Sequence, residues 1–98
     1  MNKNFIIGWV FLKNDFCGGT EIYLEEGIYL NYEDAFNKLI DYNTPYILKE
    51  LKEYPDAFLD SDDNILTDPT QICEYFCTND EPYERLWSIA EYRIPIYT

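Results

Sequence analysis

Phe5-Ile6-Ile7-Gly8-Trp9-Val10-Phe11-Leu12 is apolar at odd and even positions alike, rich in β-branched and aromatic side chains, and closed by Lys13-Asn14-Asp15. A strand with one wet face alternates, whereas one apolar throughout is covered on both sides, so this run predicts the central strand of a sheet. It is too short for a membrane span, which needs about 20 apolar residues, and no small-residue cleavage site follows it. A strand is therefore expected here, with no signal or membrane anchor.

The next residues supply a partner for that strand. Cys17-Gly18-Gly19 reads as a turn, and Glu21-Ile22-Tyr23-Leu24-Glu25 alternates polar and apolar as the second arm of a hairpin. Gly27 reads as a bulge before Ile28-Tyr29-Leu30. Asn31, with Asp34 three residues on, is a helix-capping signal. Ala35, Phe36, Leu39 and Ile40 then fall on one face of a helix running to about Tyr42. Thr44-Pro45 reads as a second helix start, with Ile47, Leu48 and Leu51 as its buried face and Pro55 beyond its end.

Ala57-Phe58-Leu59 and Ile65-Leu66-Thr67 flank Asp60-Ser61-Asp62-Asp63-Asn64, either as a small hairpin or as an irregular loop. Asp68-Pro69 opens a third helix, with Ile72/Phe76 and Cys73/Cys77 at i,i+4 spacing. From about Leu86 to Tyr97 alternation returns, Tyr92, Ile94 and Ile96 opposing Glu91, Arg93 and Tyr97, and Pro95 suggests an edge strand. The expected architecture is α+β, a small antiparallel sheet with about three short helices in the order β-β-α-α-(β-β)-α-β, in one domain spanning residues 1–98.

The composition narrows the chemistry. The chain is 47% hydrophobic and 18% aromatic, too apolar for disorder, yet carries 19 Asp+Glu against 7 Lys+Arg and no His, a formal charge of −12. Without histidine there is no Ser-His-Asp or Cys-His machinery and no His-bearing zinc site. Cys17, Cys73 and Cys77 form no CxxC pair and are read as reduced, which places the protein in the cytoplasm. No enzyme activity and no cofactor are expected. So acidic a chain is repelled by nucleic-acid phosphates and by anionic membranes, so direct binding to either is not expected.

The acidity is not evenly spread. Residues 1–52 carry net −3 and residues 85–98 net +1, while residues 53–84 carry ten acids and no base, net −10. Glu53, Asp56, Asp60, Asp62, Asp63, Asp68, Glu74, Asp80, Glu81 and Glu84 are the candidate binding residues, an anionic surface for a positively charged partner. A groove shaped to neutralise DNA, with one charge per roughly 1.7 Å of duplex axis, also accepts carboxylates fixed by a fold. The alternative is a solvated face that keeps the protein soluble.

Other motifs carry less. Asp60, Asp62, Asn64 and Asp68 follow the EF-hand pattern, but Ile65 replaces its glycine and Gln71 its bidentate glutamate, so no calcium site is expected. Cys17 beside Gly18-Gly19 has no base to activate it. Cys73 and Cys77 read as core packing. Tyr29, Tyr32, Tyr42, Tyr46, Tyr54, Tyr75 and Tyr83 are either interface anchors or edges of the core.

Tyr29-Leu30-Asn31-Tyr32-Glu33-Asp34-Ala35-Phe36 after a β-hairpin resembles a strand-to-helix junction of small phage and mobile-element proteins. With its size and acidity, the chain resembles small acidic phage-encoded anti-defence inhibitors of the anti-CRISPR or anti-restriction, DNA-mimic type. The resemblance implies a protein that occupies the nucleic-acid groove of a bacterial nuclease or effector complex, and it transfers no site residues. Two other classes fit the residues: an immunity protein capping a nuclease toxin, and an assembly protein with an apolar interface.

Overall fold

Strand β1 (Lys3–Asn14) is the centre of a three-stranded antiparallel sheet, flanked by β2 (Thr20–Tyr23) and β3 (Ser88–Tyr97) in the order β2-β1-β3. This computed structural model describes residues 3–14, 20–23, 27–78 and 85–97. Two helices, α1 (Tyr32–Glu53) and α2 (Pro69–Phe76), complete an α+β fold of order β-β-α-α-β. The turn at Cys17-Gly18-Gly19 and residues Leu24 and Glu25 lie outside the described residues.

Register decides which side of the sheet the helices cover. Phe11 pairs with Tyr23 on one side and Ile89 on the other, and Trp9 pairs with Glu91. Cross-strand partners share a face. Phe11 and Ile89 join Ala35, Leu39 and Ile47 of α1 and Ile72 and Cys73 of α2 in one buried core, with Trp9, Tyr23 and Trp87 packed against it. Rings of Tyr29, Tyr42 and Trp87 meet Phe11 edge-on at 5.5–6.2 Å. Ile6, Val10, Leu12, Ile22, Ala90, Tyr92, Ile94 and Ile96 take the opposite face, where no paired position of the three strands holds a charged residue. Val10 and Leu12 are buried there, while Ile6, Ile22 and Tyr92 are exposed. Alternation in β3 is real, but its polar positions Glu91 and Arg93 lie on the helix side.

Gly8 is needed where the chain returns over β1. A Cβ there would sit 2.5 Å from Ile28 Cγ2 and 3.2 Å from the Tyr29 carbonyl oxygen, because Tyr29 and Trp9 exchange backbone hydrogen bonds of 2.8 and 3.0 Å. The segment Ile28-Tyr29-Leu30 is thus a single bridge to β1 rather than a strand.

One expected boundary is absent. The helices expected to end at Tyr42 and to begin at Thr44-Pro45 are a single helix, with Pro45 inside α1. Asn31 caps it, its side chain accepting the N–H groups of Glu33 at 2.8 Å and Asp34 at 3.3 Å. The reason for continuity is the buried stripe Ala35-Leu39-Asn43-Ile47, four residues apart throughout, which an interruption at 43–45 would break in two. Thr44 Oγ1 also donates to the Ile40 carbonyl at 2.6 Å. Leu48, expected on the buried face, is exposed, whereas Leu51 packs against the core.

Of the two readings of 57–67, a small hairpin or an irregular loop, the structure shows the loop, so the bracketed strand pair of the expected order is absent. Leu59 and Ile65 form one isolated bridge and no strands: backbone bonds from Leu66 N–H to the Phe58 carbonyl at 2.8 Å and from Asp60 N–H to the Asn64 carbonyl at 3.0 Å close the loop, and the Asp60 carboxylate holds its tip. The helix opened by Asp68-Pro69 is α2, with the Asp68 carboxylate accepting Thr70 N–H at 2.9 Å.

Candidate functional site

Residues 53–78 leave the end of α1, turn at 60–64 and return along α2, carrying seven carboxylates across those three elements. Glu53 ends α1, Asp56 lies in the following turn, Asp62 and Asp63 form the loop tip, and Glu74 stands on α2, all exposed. Asp80, Glu81 and Glu84 lie outside the described residues. The single ion pair among the described residues, Arg93 to Glu91 at 3.6 Å, involves none of these acids.

The seven described carboxylates divide by task. Asp60 holds the loop: its Oδ1 accepts the N–H groups of Asp62 at 2.8 Å and Asn64 at 2.9 Å, and its Oδ2 accepts Asn64 Nδ2 at 3.1 Å. These bonds, led by the Asn64 backbone N–H, lower its pKa below the ordinary aspartate value. Asp63 takes a left-handed conformation, φ 61°, which short polar side chains tolerate. Asp68 is the α2 cap. Glu53, Asp56, Asp62 and Glu74 have no side-chain hydrogen bond or ion pair among the described residues.

Asp60 and Glu74, fourteen residues apart, line one open cleft of about 340 Å³ with Leu66, Gln71 and Tyr75. Tyr75 is its aromatic wall, and the Ser61 N–H donates to the Tyr75 hydroxyl at 2.7 Å, tying loop to helix. Gln71, Glu74 and Tyr75 are spaced i, i+3, i+4, so helical periodicity alone would have put them on one face. Nothing in the sequence showed that Asp60 and Leu66 fold back onto that face, so Leu66 and Gln71 went unread as lining residues.

No family model matches the chain, and no curated protein or solved structure matches it.

The tyrosines sort cleanly. Tyr29, Tyr42 and Tyr46 pack against the core, while Tyr32, Tyr54 and Tyr75 are exposed; Tyr83 is outside the described residues. Tyr32 is held above the ordinary phenol pKa by partial burial and then by the charge of Glu74, which places that carboxylate's field over the start of α1. Of the exposed three, Tyr75 lines the cleft with Asp60 and Glu74.

The remaining candidates take structural parts. Cys73 and Cys77 are buried and free, and Asn43 Nδ2 lies 3.6 and 3.7 Å from their sulfurs. The hydrogen bond between the thiols, and then burial, push Cys77 far above the ordinary thiol range, so it stays protonated and unreactive. Among the described residues no group of three or more His, Cys, Asp or Glu is placed to hold a metal ion, and no helix is long and apolar enough to cross a membrane.

Proposed function

We propose that this chain is a non-enzymatic inhibitor of the nucleic-acid-mimic kind, using its carboxylates to occupy the positively charged surface of a nucleic-acid-binding protein. The class of target is the nuclease or effector complex of a bacterial defence system, as for anti-CRISPR and anti-restriction proteins. The observation that carries the reading is the group Glu53, Asp56, Asp62 and Glu74: exposed, unpaired among the described residues, and without a described task in the fold. Glu53 argues further against a purely stabilising origin, because an acid in the last turn of α1 opposes the helix dipole. Carboxylates exposed in this way compete with phosphates for a basic groove and steer its approach.

The test is capture from nuclease-treated bacterial lysate, washed along a salt gradient, with DNA as competitor and a charge-matched acidic protein as control. Wild type is expected to recover a nuclease or other basic nucleic-acid-binding protein that salt and DNA release. A variant carrying Glu53→Lys, Asp56→Lys, Asp62→Lys and Glu74→Lys keeps Asp60, Asp63 and Asp68, and so should fold yet recover nothing. Recovery of a partner indifferent to salt and DNA overturns the reading.

A second reading draws on the open sheet face. Ile6, Ile22 and Tyr92 are exposed on a side with no charged paired position, which favours an assembly protein whose acids only solvate it. Salt separates the two, since an apolar interface responds little to ionic strength. An immunity protein would use the same carboxylates but have one cognate toxin.

A further inference from the structure

We infer that the cleft between the 60–66 loop and α2 is a socket for an arginine side chain of the partner protein. This rests on the reading above and deepens it by naming the group that the acidic surface receives.

The chemistry of the walls selects the occupant. Asp60 and Glu74 place two carboxylates on a cleft of about 340 Å³ whose lining includes no cation. Leu66 supplies apolar surface for an aliphatic stem, and Gln71 an amide oxygen able to accept an N–H. Tyr75 is 45% exposed, so its ring is open to stacking, and the Ser61 N–H on its hydroxyl fixes it in place. Phe76 backs the same ring edge-on at 4.8 Å. A carboxylate pair alone would take any cation. The combination of a fixed aromatic face, an apolar floor and carboxylates matches a planar guanidinium, which stacks on the ring while its fork of N–H groups bonds Glu74. A lysine ammonium is a point charge and uses only part of this arrangement. Asp60 keeps a negative charge at the cleft because its loop N–H groups stabilise the ionised form, although most of its acceptor capacity is already taken. Glu74, whose side chain has no hydrogen-bond partner among the described residues, is the carboxylate left to make new bonds.

The experiment titrates the full chain with N-acetyl-arginine methylamide, followed by backbone amide NMR, with N-acetyl-lysine methylamide at matched ionic strength as control. The arginine probe is expected to shift the amides of Leu66, Gln71, Glu74 and Tyr75. It should bind more tightly than the lysine probe by about two- to fivefold, the scale of an exposed cation–π contact. Glu74→Gln and Tyr75→Leu should each weaken the arginine probe by a similar factor. Their melting temperatures report whether the fold survives, and Tyr75→Phe, which keeps the ring but gives up the Ser61 bond that fixes it, should prefer arginine less than wild type and more than Tyr75→Leu. Equal response to both probes, or shifts spread over all the carboxylates, overturns the socket. Two further outcomes separate it from the reading it rests on. If wild type captures a salt-sensitive basic partner and Glu74→Gln and Tyr75→Leu capture it equally well, the socket is wrong and the acidic surface stands. If the probe binds as expected but no salt-sensitive partner exists, the inhibitor reading fails while the arginine site remains.

Discussion

Asn43 binds the backbone of Trp87 from both sides of its amide: Nδ2 donates to the Trp87 carbonyl and Oδ1 accepts the Trp87 N–H, each at 2.9 Å. The side chain is 1% exposed, so it stands in for a neighbouring strand at the entry to β3 and joins the middle of α1 to the sheet. Replacing it with leucine keeps the volume but leaves two backbone groups of Trp87 unpaired away from water. Asn43→Leu is expected to cost about 2–4 kcal/mol, and Asn43→Asp more, since it removes the donor and buries a charge. Chemical denaturation measures both. A loss below about 0.5 kcal/mol for leucine, under the net contribution of one ordinary hydrogen bond, would mean that water replaces the amide.

Pro45 sits in the interior of α1, where it has no N–H to offer the Asp41 carbonyl and its ring crowds that turn. The helix persists because burying Leu39, Asn43 and Ile47 together outweighs the local penalty. Pro45→Ala is therefore expected to stabilise the protein by about 1–2 kcal/mol, the helix gain being partly offset by a freer unfolded chain. Pro45 is exposed, so no core contact is lost. A fall in denaturation midpoint would show that α1 needs the proline for its path.

These two residues also show where sequence reading stopped. The central strand, the hairpin, the Asn31 and Asp68 caps and the edge strand were legible because each is a local pattern of polarity or cap chemistry. Asn43 was not, since a polar residue before Thr44-Pro45 looks like a helix end until its partner, forty-four residues away, is known. The acidic surface was legible as composition, but its division was not: Asp60 and Asp62 look alike in sequence, and only loop geometry makes one a structural acceptor and leaves the other free. The cleft was hidden for the same reason, because it depends on the contact between Ser61 and Tyr75.

Asp60 predicts a pH dependence confined to the loop. Its folded pKa is lowered by the N–H groups that it accepts, so the stabilisation is fully present above the unfolded value of about 3.9. It is lost as pH falls through the lower, folded pKa. Carboxyl-detected NMR should find Asp60 titrating below an ordinary aspartate, with the amides of Asp62 and Asn64 moving in step. Asp60→Asn should abolish that step. Calcium at millimolar concentration should leave the melting temperature unchanged, because this carboxylate is already engaged by its own loop; a rise of several degrees would revive a metal site there.

The unpaired acids yield the prediction that best separates a functional surface from a solvating one. Carboxylates on a chain of net charge −12 repel one another, and Glu53 adds an unfavourable position at the C-terminal end of α1. Glu53→Lys and Asp56→Lys together should raise the melting temperature by roughly 2–6 °C, and added salt should raise that of the wild type by screening the same repulsion. The same double variant should bind a basic partner more weakly. Opposite signs for stability and binding are expected where acids are kept for recognition at the expense of the fold. If the variant is more stable and binds as well as wild type, Glu53 and Asp56 lie outside the interface and recognition shifts to Asp62 at the loop tip and Glu74 at the cleft. If it is less stable, the repulsion is too weak to matter, and the acidity has no cost that a function must explain.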